Sequence, residues 1–170
     1  MGDAGIFHQN DRVELIEGEI IDMALIGSNH AGTVNLLSNI VKITVGTQAI
    51  ISTQNPVVLD SFSEPEPDIA VLKPRDDFYR TSHPGPEDIL LIIEVADNSL
   101  RYDHKVKTPL YARHAIFEAW LVDLENGQLL IHQNPQAGQY QTITPAENRQ
   151  ALVPLQLPTA IFNLEMLFQQ

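Results

Sequence analysis

The chemistry in this 170-residue sequence starts from a carboxylate set inside an aliphatic run, Glu94 within Leu90-Leu91-Ile92-Ile93-Glu94-Val95. A charge in such a run is expensive to bury unless it is paired or bound to a cation. A second carboxylate, Asp68, stands at the mouth of the apolar run Ile69-Ala70-Val71-Leu72. If the two runs are neighbouring strands, Asp68 and Glu94 converge on one point. Two converging carboxylates with open positions suit Mg²⁺, which takes oxygen ligands and keeps several waters. Such an ion activates a water and neutralises charge building on a phosphate. Lys107, on the next element, would stabilise that charge or orient the attacking water. Asp68, Glu94 and Lys107 thus form a coherent set for phosphodiester hydrolysis. The plainer alternative is a satisfied Glu–Lys ion pair with Asp68 as a turn residue.

Other residues could line such a site. His30, near the start of a helix, could donate to a phosphate or simply cap. Asp103 precedes Lys107 by four residues, the favourable acid-to-base order on a helix, so a structural ion pair explains it as well as chemistry does. Tyr111 lies four residues beyond Lys107 on the same face and reads first as packing. Trp120 reads as core. Ser99 and the histidines form no defensible Ser-His-Asp set. There is no glycine-rich phosphate loop. The absence of cysteine excludes disulfides, thiolate metal sites and a thiol nucleophile.

The elements that must hold these residues can be read from pattern. Residues 13–26 read as two short strands around Glu17-Gly18. Asn29 to about Gly46 reads as a helix, capped by Ser28 or Asn29, with Val34, Leu37, Ile40, Val41 and Val45 at helical spacing. Ala49–Leu59 reads as a strand, as does Asp68–Lys73. Pro74–Glu87 reads as a long surface loop. Ile89–Val95 suits a central strand covered on both faces. Tyr102 to about His114 reads as a helix kinked or started by Pro109. Ile116–Leu124 and Gln128–His132 read as strands joined through Asn126-Gly127, a hairpin signal. Tyr140–Ile143 reads as an edge strand and Ala160–Phe168 as a short terminal helix. The order predicts an α/β (α+β) fold, a central mixed β-sheet flanked by helices, in a single domain over 1–170.

Ten basic and 22 acidic residues leave a net charge of −12. That counts against strong, general binding of nucleic acid by its phosphates. Seven of the ten basic residues lie between Lys73 and Arg113, a segment that is neutral overall, so the rest of the chain carries the deficit. No apolar run reaches the about 18 residues of a membrane span, and the N-terminus has neither a signal pattern nor, with Ile6, a myristoylation motif. A soluble cytoplasmic protein is the expectation.

The residues also resemble a known family. Glu94-Val95-Ala96-Asp97-Asn98-Ser99-Leu100-Arg101-Tyr102-Asp103 is followed by Lys107-Thr108-Pro109-Leu110-Tyr111-Ala112-Arg113 and by Glu118-Ala119-Trp120-Leu121-Val122-Asp123-Leu124. With Glu64-Pro65-Glu66-Pro67-Asp68 upstream, and Glu17-Gly18-Glu19-Ile20 and His30 before that, this ordered set is similar to the Uma-type restriction endonuclease family. The resemblance runs from about residue 13 to about 133. It implies a restriction-endonuclease-like fold of the PD-(D/E)XK superfamily, in which an Asp and a Glu on adjacent strands bind Mg²⁺ or Mn²⁺. Asp68 and Glu94 take those positions. The usual lysine two residues after the second acid is Ala96 here, and the family's lysine on the following helix corresponds to Lys107. Glu17 is implied as an additional metal ligand. DNA as substrate and a homodimer are implied as well.

Two functions follow. One is a metal-dependent DNA endonuclease, with nucleic acid approaching over residues 73–113 and the 74–87 loop as a clamp. The other is a catalytically inactive nucleic-acid-binding or assembly module on the same fold, which the −12 charge and Ala96 favour.

Overall fold

The apolar run around Glu94 becomes the centre of a six-stranded sheet. In the computed structural model, which describes residues 13–23, 25–97 and 102–168, a hairpin of β1 (Val13–Ile16) and β2 (Glu19–Asp22) precedes helix α1 (Ser28–Val45). There follow β3 (Ile50–Thr53), β4 (Ile69–Leu72) and β5 (Ile89–Ala96). A π-helical turn (Asp103–Lys107) runs into α2 (Thr108–Arg113), and then come β6 (Glu118–Asp123), β7 (Gln128–Gln136) and β8 (Gln139–Pro145). The sheet order is β3-β4-β5-β6-β7-β8. Only β5 and β6 pair in parallel, because the helical segment between them carries the chain back across the sheet. The mixed α+β architecture expected from the pattern is what forms.

All eight residues of β5 are buried. Strand alternation sorts them to two layers. Ile69, Val71, Leu91, Ile93, Val95, Trp120 and Val122 face α1, through Val34, Leu37, Val41 and Val45, and the C-terminal segment, through Phe162 and Leu164. Ala70, Leu72, Ile92 and Ala119 face the other way, onto Leu110, Tyr111, Ile116 and hairpin residue Ile16. Each fully buried aliphatic side chain contributes about 1.5–3 kcal/mol. Glu94 has the parity of Ile92, so it points at α2 and the hairpin.

Several boundaries differ from the sequence pattern, each for a local reason. The 49–59 strand stops at Thr53 because Gln54 turns into the left-handed region (φ 50°). Val57 and Leu59 are buried from irregular backbone instead. Helix α1 starts after Gly27 with no side-chain cap. The terminal helix is only a 3₁₀ turn, Glu165–Phe168, while β7 and β8 run longer than expected. Among the described residues no helix is long and apolar enough to cross a membrane. Residues 98–101, which include Ser99 and Arg101 of the basic segment, lie outside the described residues.

The outer sheet carries a histidine with a stability consequence. His132 on β7 is 1% exposed, lies edge-on to His104 and Tyr140, and among the described residues neither ring nitrogen meets a partner in full hydrogen-bond geometry. Burial, aided by His104, pushes its pKa down to about 4. The unfolded chain therefore binds this proton first. Stability is fully present above about pH 6.5 and falls as pH drops toward 4, by about 3 kcal/mol in total for this group. Urea unfolding at pH 7 and pH 4.5 should show a shallower acid loss in His132→Phe than in wild type. Equal acid losses in the two proteins would remove the assignment.

Candidate active site

The antiparallel register of β4 and β5 pairs Ile69 with Ile93, so one residue further on Asp68 stands opposite Glu94. Each acid accepts from the backbone of the facing strand region. The Asp68 N–H donates to Glu94 Oε2 (3.2 Å), and the Val95 N–H donates to Asp68 Oδ2 (2.9 Å). Both line one cavity of about 330 Å³. The convergence expected from the sequence is met.

The remaining bonds fix each carboxylate. His30, in the first turn of α1, meets Asp68 Oδ2 through Nε2 at 3.1 Å, and Gln54 donates to Asp68 Oδ1 at 3.2 Å. The bond to Asp68 outweighs burial and raises the His30 pKa. Glu94 Oε1 accepts from the Tyr111 hydroxyl and lies 3.3 Å from Lys107 Nζ. Burial is the main cause that pushes the Glu94 carboxyl up to about 8, against the pull of Lys107 and with the push of Asp68 and Asp103. Burial opposes the Lys107 ammonium, yet Glu94 and Glu14 hold its pKa above the ordinary value. Burial, and then the charge of Glu94, raise Tyr111 well above a free phenol.

Lys107 arrives by an unexpected route. The pattern predicts an α-helix from 102, but residues 103–107 form a π-helical turn in which the Thr108 N–H reaches the Asp103 carbonyl. Pro109 has no N–H to give, so the wider turn forfeits no bond at that position. The Thr108 hydroxyl satisfies the His104 carbonyl (2.8 Å). The turn buries both Asp103 and Lys107, and both line the cavity. Single π turns of this kind recur at functional sites. Position 96 is a fully buried alanine, so the ammonium beside Glu94 comes from Lys107.

Glu17 does not stand where the resemblance implies, and another acid of the hairpin does line the cavity. Glu17 sits in the hairpin turn (φ 50°), followed by Gly18 at φ 86°. It does not line the cavity. It pairs at the surface with Arg113 (3.0 Å), the two side chains being 59% and 38% exposed. Glu17→Gln should therefore change stability by no more than about 1 kcal/mol and leave Mn²⁺ affinity unchanged. Urea unfolding and calorimetry check this, and a large loss of metal affinity would restore Glu17 to the site. The hairpin acid inside the cavity is Glu14, whose Oε1 lies 2.7 Å from Lys107 Nζ and accepts from the Glu66 N–H at 3.0 Å. Sequence reasoning missed it. Its one signal is a carboxylate between the apolar residues Val13 and Leu15.

The donor set suits a hard cation. Among the described residues no group of three or more His, Asp or Glu side chains is gathered to hold a metal ion. Magnesium is commonly held by one or two carboxylates and completed by waters and substrate phosphate. Asp68 and Glu94 offer those oxygens, and both line a cavity that also holds Glu14, Asp103 and Lys107. The residues therefore fit Mg²⁺ or Mn²⁺.

The fold is thus a mixed sheet in which an Asp and a Glu face each other across adjacent strands, with a lysine at the second acid. The chain belongs to the Uma2 family, whose model, described as "Putative restriction endonuclease", matches residues 4–165. Among solved structures it is similar to a crystal structure described as a putative nuclease belonging to DUF820 from Anabaena variabilis ATCC 29413, with a TM-score of 0.71 and 17% identity over 98% of this chain and 94% of that one. At that identity the likeness shows the fold. No curated protein matches the chain.

Proposed function

We propose that the protein is a metal-dependent endonuclease that hydrolyses phosphodiester bonds in DNA. The observation that supports this most is the meeting of Asp68, Glu94 and Lys107 in one cavity. Asp68 and Glu94 are the residues that would hold Mg²⁺ or Mn²⁺. When bound, the ion supplies an activated water and neutralises charge on the phosphate. Lys107 places an ammonium where negative charge builds on the phosphate oxygens. Tyr111 and the Asp68 N–H fix the two oxygens of Glu94, and His30 and Gln54 fix those of Asp68. DNA would approach over the neutral 73–113 segment, and two copies acting as a homodimer would cut both strands. A cytoplasmic location fits this role.

The test is incubation of the purified protein with supercoiled plasmid DNA in Mg²⁺, in Mn²⁺ and in EDTA. Nicked or linear product in the metal lanes alone is the expected result. Absence of cutting in every lane would overturn the proposal. One observation favours the second reading, a non-catalytic binding or assembly module: Glu94 Oε1 is already engaged by Tyr111 and Lys107. Calorimetry with Mn²⁺ separates the two, since the module needs no millimolar or tighter metal binding.

A further inference from the structure

Lysine carries a flexible four-carbon stem with about 2 kcal/mol of rotamer entropy, so an ammonium that must face one point needs an anchor. Lys107 has three acceptors for its three N–H donors: Glu14 Oε1 at 2.7 Å, Glu94 Oε1 at 3.3 Å and the Glu66 carbonyl at 3.3 Å. The shortest contact is to Glu14. That carboxylate is itself held. Its side chain is 3% exposed, and its Oε1 accepts from the Glu66 N–H. The flanking backbone is bridged to Glu64 in both directions, by the Glu64 N–H to the Leu15 carbonyl (2.7 Å) and the Leu15 N–H to the Glu64 carbonyl (3.4 Å). The hairpin thus brings a held carboxylate to the end of a long side chain.

We infer that Glu14 is a positioning residue for the proposed nuclease chemistry: it holds the Lys107 ammonium beside Glu94. The inference rests on the nuclease reading for its purpose, but not for its geometry. Glu94 is asked both to hold a cation and to face the ammonium. Glu14 meets the same ammonium independently of Glu94, at the shorter distance of 2.7 Å against 3.3 Å, so Lys107 keeps its place when Glu94 is committed to the ion. Glu14 Oε1 faces Lys107 Nζ and accepts from the Glu66 N–H, so Glu14 acts through the lysine, beside the metal-binding pair of Asp68 and Glu94.

The experiment follows Lys107 directly. Wild type, Glu14→Gln and Glu14→Asp are treated in EDTA with an amine-acylating ester, and labelling of each lysine is read by mass spectrometry. Loss of a hydrogen bond between charged partners should speed labelling of Lys107 by about tenfold or more in Glu14→Gln, with the exposed Lys42 and Lys73 as unchanged internal standards. The shorter acid in Glu14→Asp keeps the charge and should give an intermediate rate, which also covers a poorly folded Glu14→Gln. In the plasmid assay with Mn²⁺, kcat should fall by about 10–100-fold in Glu14→Gln with KM little changed, the range for lost outer-shell partners, and Glu14→Asp should recover part of it. Unchanged Lys107 labelling in both variants would overturn the inference. Wild type that cuts no DNA, with faster labelling in the variants, would sink the nuclease reading and leave the positioning role standing.

Discussion

Asp68→Asn is expected to reduce metal-dependent cutting of DNA by about 10²–10³-fold or more, the scale for losing one group that stabilises transition-state charge. The fold should survive the change. Asp68 Oδ2 accepts from the Val95 N–H and faces His30, and an Asn carbonyl can keep both. The Asn amide then falls at Oδ1, where the partner is the Gln54 side-chain amide, which can turn to present its oxygen. Glu94→Gln should be equally inactive but less stable, because Oε1 faces Tyr111 and Lys107 while Oε2 faces the Asp68 N–H. All three partners are donors, so an amide nitrogen at either position meets one of them. Plasmid nicking, Mn²⁺ calorimetry and a thermal melt on the same samples check this. Asp68→Asn that melts like wild type, no longer binds Mn²⁺ and no longer cuts is the expected outcome. Wild-type cutting by either variant would remove these acids from the mechanism.

How much of this site the sequence exposes depends on whether each residue violates its local pattern. Glu94 is visible because a carboxylate interrupts a run that otherwise fits a fully buried strand. Asp68 is visible because it borders another such run, and β4 and β5 do pair as that required. Trp120 is readable as core for the same reason, and it packs edge-on against Phe162. Glu14 is hidden because alternation in a short hairpin makes it look like an ordinary solvent-facing residue. What buries it is the bridge to Glu64, far along the chain, which no local signal encodes. The family resemblance drew attention to Glu17, three residues away, whose turn geometry sends it to Arg113. The π-helical turn is hidden too. The 102–114 spacing is helical, and only the placement of Thr108 and Pro109 tolerates the extra residue that brings Lys107 inward. The terminal segment misleads by its aliphatic content: Phe162, Leu164 and Leu167 are buried against the sheet without a helix to carry them.

Lys107→Met should cost the metal-free protein about 3–5 kcal/mol, the range for removing one partner of a buried ion pair. Methionine fills nearly the same space, so the loss comes from charge. Glu14 and Glu94 would remain in the cavity wall without the ammonium that both face, and each is only 3% exposed. The sign of the pH dependence follows. The Glu94 carboxyl is already raised from 4.5 to about 8 with Lys107 present, and Lys107 is the charge that restrains it. Removing the lysine raises it further. A carboxyl with a raised folded-state pKa contributes its full stability below the unfolded value and loses it as pH climbs through the folded value. The deficit of Lys107→Met should therefore be smallest near pH 4.5 and grow through pH 8 and above. Urea unfolding in EDTA at pH 5, 7 and 9 measures it. Adding Glu14→Gln to Lys107→Met removes one of the stranded charges and should return part of the lost stability, a coupling that a double-mutant cycle reads directly. A deficit below about 1 kcal/mol that does not vary with pH would mean that water reaches these carboxylates freely, and the buried ion pairing of Lys107 with Glu14 and Glu94 would not hold in solution.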